Sequence, residues 1–316
     1  MGDWSEMPER RSAPERSWGR NPLEVIAYLA VAPLLRGLAR LPLSALYRVS
    51  DLASWVMYRV LRYRREVVRE NLRRSFPEAP PEELARLAEQ SYRNVCDVAF
   101  ESVKLMAMSE AEIRERVSVD LGIARELYER RQSAVFVLGH CGNWEWAIPI
   151  AVLAFTDVVI HVIYHPLRHP GFEGLVHSVR SRFGGTFTPI GRAGRAIIRL
   201  RRKLTATFLV ADQRARGSDS YVTIFLGQKT AFLRGPEQLA RSLDVPVVYA
   251  EVRRVERGRY DVSLEWLCEY PNGTSDGEIT ERFARRLEQQ IRKDPADWLW
   301  LHRRWRDRRA ERAEVD

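Results

Sequence analysis

Residues 134–138, Ala-Val-Phe-Val-Leu, carry no polar side chain and are rich in β-branched and aromatic types. That length and make-up predict a buried strand. The run breaks at Gly139, and His140, Gly142, Asn143 and Glu145 follow at once, before an apolar stretch resumes at Trp146. A strand that stops at glycine and delivers a histidine and a glutamate to its C-terminal end is how an α/β sheet presents reactive groups. The pattern continues downstream. Strand patterns at 158–164, 205–211, 221–226, 245–253 and 259–267 alternate with helical patterns up to 155 and at 171–183, 194–203, 235–243 and 278–292. This alternation predicts an α/β fold, a mixed and mostly parallel sheet flanked by helices, over residues 131–306.

The chain before that core reads as helix. Residues 64–75 place Val67, Val68, Leu72 and Phe76 at helical spacing, and Pro77 closes the run. Pro80 and Pro81 open a second helix with acidic residues in its first turn, where the helix dipole favours them. Ser109 followed by Glu112 is a capping sequence for a third. We therefore expect a helical region at 63–130. Residues 22–62 differ: apolar stretches are broken by Arg36, Arg40, Arg48 and Arg59, and Tyr28, Tyr47, Trp55 and Tyr58 are interspersed. No window there reaches the roughly 20 apolar residues of a membrane span without a charge. Aromatic residues beside arginines that can snorkel suit helices lying on a membrane; a core hairpin and a true span are the competing readings. Residues 1–21 and 307–316 are highly charged and read as tails, the first disordered.

Charge and cysteine content narrow the partners. There are 51 Lys and Arg against 42 Asp and Glu, a net charge of +9. The plain reading of this excess is solubility; the sharper one is an anionic partner such as lipid, an acidic carrier protein or nucleic acid. Cys96, Cys141 and Cys268 are scattered, with no CxxC pair. That argues against a disulfide framework or a zinc ribbon. His161, His165 and His169 are evenly spaced as if for a metal, but Pro166 and Pro170 forbid the helix that would align them. We expect no metal.

His140 and Glu145 carry the chemistry that sequence can propose. An imidazole, with an ordinary pKa of about 6.5, is suited to take a proton at neutral pH. A carboxylate on its other nitrogen would fix the tautomer and stabilise the imidazolium. Five residues along one helix amount to about 500° of rotation, so the two would not share a face. They can cooperate only if His140 precedes a helix and Glu145 sits in its first turn. Gly142 and Asn143 fit that bend, with Asn143 as N-cap, and backbone N–H groups there can hold an anion. The plainer reading of an isolated H-x4-E is a hydrogen-bonded structural histidine. Asp212-Gln213 ends another strand pattern and can reach the same sheet edge. Arg168, Arg180 and Arg182 can meet a phosphate or an oxyanion. Cys141 is a poor nucleophile for His140, since adjacent side chains rarely meet.

His140-Cys-Gly-Asn-Trp-Glu145 resembles the H-x4-E signature of the late acyltransferases of lipid A biosynthesis, the lauroyl and myristoyl transferase family. Other segments match in order: Arg69-Glu-Asn-Leu72 with Ser75-Phe-Pro-Glu78, Tyr164-His-Pro-Leu, Arg182-Phe-Gly, Asp212-Gln213, Phe225-Leu-Gly227, and Trp298-Leu-Trp-Leu-His-Arg-Arg-Trp305. Cys141 stands where a bulkier apolar residue is expected, and His165 where arginine is commoner. The resemblance implies transfer of a fatty acyl chain from acyl carrier protein to a hydroxyl of a lipid A precursor, at the cytoplasmic face of the inner membrane. It implies His140 as general base and Glu145 as its orienting partner. Gly142, Asn143, Arg168, Arg182, Asp212 and Gln213 would bind substrate. No cofactor is implied beyond the acyl-ACP or acyl-CoA co-substrate. The expected partners are acyl carrier protein, an anionic glycolipid and the membrane surface, with neither nucleic acid nor metal. Two alternatives stand beside it. One is an acyl-CoA-dependent transferase acting on another glycolipid or lysophospholipid, such as a phosphatidylinositol mannoside. The other is a non-catalytic membrane- or nucleic-acid-binding protein.

Overall fold

A computed structural model describes residues 22–167, 169–215 and 220–305. The tails expected at 1–21 and 307–316 and the candidate Arg168 lie outside the described residues. Among the described residues, nine strands form two sheets. β1 (Val117–Val119), β2 (Ala134–Leu138), β3 (Val159–Tyr164), β4 (Thr186–Pro189), β5 (Thr205–Val210), β8 (Val247–Glu256) and β9 (Arg259–Cys268) make a seven-stranded sheet in the order β1-β9-β8-β2-β5-β3-β4. All neighbours in it are parallel except the β8–β9 hairpin. β6 (Ser220–Phe225) and β7 (Gln228–Leu233) form a separate antiparallel hairpin. The mixed, mostly parallel α/β sheet expected from the alternation is thus present. β1, β4 and β7 are additions of three, four and six residues, and β1 interrupts the region 63–130 that was expected to be helical.

β2 is the central strand. It pairs with β5 on one side and β8 on the other, and each of its five residues is buried. Ala134, Phe136 and Leu138 face one core and Val135 and Val137 the other, as the two-residue period of a strand requires. The first core lies under α6 (Gly122–Glu129) and α7 (Trp144–Ala154); the second lies under α10 (Gly235–Leu243) and α11 (Glu278–Lys293). α8 (Pro170–Ser181) and α9 (Ala193–Leu200) connect β3, β4 and β5. The β6–β7 turn, Leu226-Gly227, has positive φ at both residues, the two-residue hairpin geometry in which glycine is favoured. A packing role thereby attaches to the Phe225-Leu-Gly227 segment, since Phe225 and Leu226 are fully buried.

α1 (Pro22–Ala39), α2 (Leu43–Trp55), a π-helical turn (Val56–Val60), α3 (Arg65–Ser75), α4 (Pro81–Lys104) and α5 (Glu110–Arg116) form the N-terminal layer. Pro81 opens α4, and the Ser109 hydroxyl accepts from the Glu112 N–H at 3.1 Å to cap α5, both as the sequence predicts. Among the described residues, no helix is long and apolar enough to cross a membrane.

Two carboxylates on α4 bind this layer to the sheet. Asp97 accepts from Ser50 Oγ at 2.7 Å, from Arg254 at 3.0 Å and from Arg257 at 2.9 and 2.6 Å. One turn further on, the fully buried Glu101 accepts from the hydroxyls of Tyr47 (2.8 Å) and Tyr260 (2.7 Å) and from Asn143 Nδ2 (2.7 Å). Burial pushes the Glu101 carboxyl above the ordinary range, opposed by Arg254 and by these three donors. Glu101→Ala would leave three donors unpaired, each costing about 1–3 kcal/mol. Denaturant titration is expected to show a loss of about 3–5 kcal/mol. A loss under about 1 kcal/mol would mean water replaces the carboxylate at little cost.

Candidate active site

Register places the central histidine. β2 and β5 run parallel with Leu138 opposite Val210, so the second residue beyond each strand end, His140 and Asp212, emerges at the same level. His140 Nδ1 lies 2.5 Å from Asp212 Oδ1, and the His140 backbone N–H donates to Oδ2 at 2.9 Å. Trp298 Nε1 donates to the same Oδ2 at 2.8 Å. Asp212 is buried. Burial alone would raise its carboxyl, but the charge and hydrogen bonds of His140, with help from Trp298, outweigh that and hold it well below the usual carboxylate range. An ionised Asp212 only accepts, so in the neutral ring the proton belongs on Nδ1 and the lone pair on Nε2. Gln213 Nε2 lies 3.3 Å from that Nε2, and the ring edge meets Trp144 at 4.8 Å between centroids. The His140 side chain is 12% exposed, enough to be reached.

The bend after His140 has the form the spacing demanded. Gly142 has φ +55°, and a Cβ there would come within 2.8 Å of the Val252 carbonyl oxygen, so only glycine fits. Its N–H donates to the Asp297 carbonyl at 3.3 Å. Asn143 caps α7, its Oδ1 accepting from Trp146 N at 3.0 Å while its Nδ2 reaches Glu101. Asn143 is fully buried. Glu145 does lie in the first turn of α7, yet the expected His140–Glu145 contact is not formed. Both Glu145 oxygens take Arg180: Oε2 accepts from Nε at 2.9 Å and Oε1 from the second nitrogen of the fork. The position at Nδ1 belongs to Asp212, because a residue in the next strand of the sheet is nearer the ring than one five along the chain.

The remaining predicted residues separate. Gln213 stays at His140. Arg182 donates to the carbonyls of Leu105 (2.8 Å) and Met108 and so ties α8 to the end of α4. His161 is buried in β3, 3.0 Å from Thr188 Oγ1, and burial pushes it down to about 4. His169 caps α8 by accepting from Phe172 N at 3.3 Å. Cys141 is buried, and burial, followed by the charge of Asp212, pushes its thiol well above the usual range. A thiol in that state is a poor nucleophile. Trp298 was within reach of sequence reasoning only as part of the closing aromatic segment. That segment crosses the site through a bridge between Cys141 and Trp298 and is anchored by Asn71 Nδ2, which donates to the carbonyls of Trp300 (2.9 Å) and His302 (3.1 Å).

The core under α7 holds a narrow apolar cavity of about 70 Å³ that reaches Leu138, two residues before the histidine. Phe136 and Leu138 line it from β2, Phe208 from β5, and Ala147, Ala151 and Ala154 from α7. Three alanines at helical spacing leave a slot where larger side chains would close it.

The family model described as bacterial lipid A biosynthesis acyltransferase matches residues 14–307. The chain belongs to the bacterial lipid A biosynthesis acyltransferase family. The lipid A biosynthesis acyltransferase of Haemophilus influenzae is 23% identical over 290 residues, covering 90% of this chain and 91% of that one. The family match spans the N-terminal helical layer as well as the sheet, and it includes His140, Glu145, Asp212 and Trp298. The protein is therefore an acyltransferase of lipid A biosynthesis.

Proposed function

We propose that this acyltransferase moves a fatty acyl chain from acyl carrier protein to a hydroxyl of a lipid A precursor, with His140 as general base. The observation that carries this reading is the buried Asp212 carboxylate on His140 Nδ1, which leaves Nε2 as the basic nitrogen at the open side of the ring. The acceptor hydroxyl displaces the Gln213 amide and gives its proton to Nε2. Its oxygen attacks the thioester carbonyl and forms a C–O bond. The tetrahedral intermediate then collapses: the C–S bond breaks, and the thiolate takes the proton back from Nε2. No acyl-enzyme is needed, consistent with the buried Cys141 thiol. The Glu145–Arg180 pair sets a cation at the start of α7, where the helix dipole also favours the negative oxygen of the intermediate. The apolar slot along α7 suits the acyl chain. The exposed Leu52, Trp55 and Leu61 of the N-terminal layer suit work at a membrane surface, which we place at the cytoplasmic face of the inner membrane.

Expression in a host lacking its own late acyltransferase, followed by mass spectrometry of lipid A, tests the reading. A gain of one acyl mass on lipid A is expected. No gain there, with new acyl mass on another glycolipid or lysophospholipid, would transfer the reaction to that acceptor. The ion pair has its own test. Glu145→Ala and Arg180→Ala are each expected to lower kcat by about 10²–10³-fold. The double variant should be scarcely worse than either single one, since each already removes the same pair. Additive losses in this cycle would assign the two residues separate tasks.

A further inference from the structure

A second feature of the N-terminal layer stands apart from the histidine. Between the π-helical turn, α3 and α4 lies a groove of about 430 Å³ lined by Arg59, Arg65, Arg69, Arg86 and Arg93, with Glu89 as its one carboxylate. Glu89 is occupied by Arg59 at 3.0 Å and, at 3.9 Å, by Arg93. Arg69 reaches outward to Glu66 at 3.2 Å. Arg65 stacks on Tyr58 at 4.9 Å, and its Nε is buried with no acceptor among the described residues. Positive charge thus exceeds what the groove's own carboxylate can balance, and a buried N–H awaits an oxygen. Buried donors in folded proteins are normally paired, so an unpaired one on an arginine that lines a basic groove leaves room for an outside acceptor.

The groove's surroundings indicate what brings that acceptor. On α2 the side chains buried against the protein are Leu43, Leu46, Ser50 and Ser54, so Leu52 and Trp55 face outward, 62% and 56% exposed. Arg59 follows Trp55 by one turn, on the same side of the helix. Val60 and Leu61, next in the chain, are 57% and 65% exposed. An exposed apolar stripe therefore leads into an arginine-lined groove. This is the arrangement in which hydrocarbon meets the stripe and a phosphate meets the guanidinium forks. A soluble acidic protein would account for the arginines but not for the stripe that adjoins them. We propose that this groove binds the phosphate headgroup of an anionic phospholipid and so holds the enzyme on the bilayer at a site distinct from His140. The proposal adds to the acyl-transfer reading, and its binding readout does not depend on that reading.

Vesicle co-flotation tests it, with phosphatidylcholine alone and with an equal mixture of phosphatidylcholine and phosphatidylglycerol. The full chain is expected to bind the mixture at least tenfold more tightly. Arg65→Gln/Arg86→Gln/Arg93→Gln should lose about a hundredfold of that affinity. Arg86→Gln/Arg93→Gln, which changes only exposed side chains, should lose about tenfold and guards against misfolding of the triple variant. Arg199→Gln/Arg201→Gln/Arg202→Gln removes the same charge from exposed positions on and after α9 and should change binding less than threefold. Equal losses from the two triple variants would reduce the groove to net charge and overturn the proposal. A groove variant that loses binding to an acidic carrier protein while keeping vesicle affinity would make the groove a protein dock instead. Acyl transfer to detergent-solubilised acceptor should continue in the groove variants, so failure of the lipid site and failure of the acyl-transfer reading are told apart.

Discussion

His140→Ala is expected to lower kcat for acyl transfer by about 10²–10⁴-fold, the range for loss of a general base. The reason is geometric. Nδ1 is held by Asp212 at 2.5 Å, and Nε2 faces the Gln213 amide. His302 and His161 are poor substitutes as bases: burial keeps each down at about 4. His161 is also spent on Thr188. The variant should fold. Asp212 keeps two of its three donors, the His140 backbone N–H and Trp298 Nε1, so the cost of the missing ring is about 1–3 kcal/mol. His140→Asn restores a side-chain donor without a base and separates the two effects: stability should recover while turnover does not. Purified protein, a thioester donor and a circular-dichroism melt suffice. A His140→Ala enzyme working at the wild-type rate would remove the base from the mechanism.

Much of this site was legible because it follows from period and punctuation. An apolar run of five residues ending in glycine defined β2 to the residue, and the rotation argument required the bend that Gly142 and Asn143 supply. What the chain order obscured was which carboxylate meets the ring. Glu145 is close in sequence and points into α8, where Arg180 holds both its oxygens. Asp212 is 72 residues away and arrives by strand register. The signal was available, since Asp212 also ends an apolar strand, but only the order of strands in the sheet could choose between the two. Asp97 and Glu101 were less visible still. On an amphipathic helix, two acidic residues one turn apart read as a solvated face. They are buried here because Tyr47, Ser50, Arg254, Arg257 and Tyr260 converge on them from α2 and the β8–β9 hairpin. Arg182 misled for a related reason: an arginine offered to a substrate and one offered to the last carbonyls of a helix have the same sequence signature.

Asp212→Asn tests the deepest consequence of that register. The carboxylate accepts three bonds, from the His140 backbone N–H, from Trp298 Nε1 and from His140 Nδ1. An amide of the same shape has one acceptor oxygen. If that oxygen keeps the backbone and Trp298 donors, the amide NH₂ faces Nδ1 and drives the ring proton to Nε2, the nitrogen that must act as base. kcat is then expected to fall by about 10⁴-fold, as for a triad histidine given the wrong tautomer, with KM little changed. Nitrogen NMR of the imidazole should show the tautomer reversed, a signature that mere loosening of the site would not give. Adding His140→Ala to Asp212→Asn should cost little more, because both remove the same base. Acid behaviour follows with a defined sign. The folded carboxyl is depressed, so its contribution to stability is complete above the unfolded value of about 3.9 and is lost as pH falls toward the folded one. Wild-type protein should therefore lose, on acidification below about pH 4, a stability increment that Asp212→Asn lacks, and the two melting curves should converge there. An Asp212→Asn enzyme that kept kcat within threefold and the wild-type tautomer would show that the ring needs no carboxylate, and the dyad would then be a structural pair.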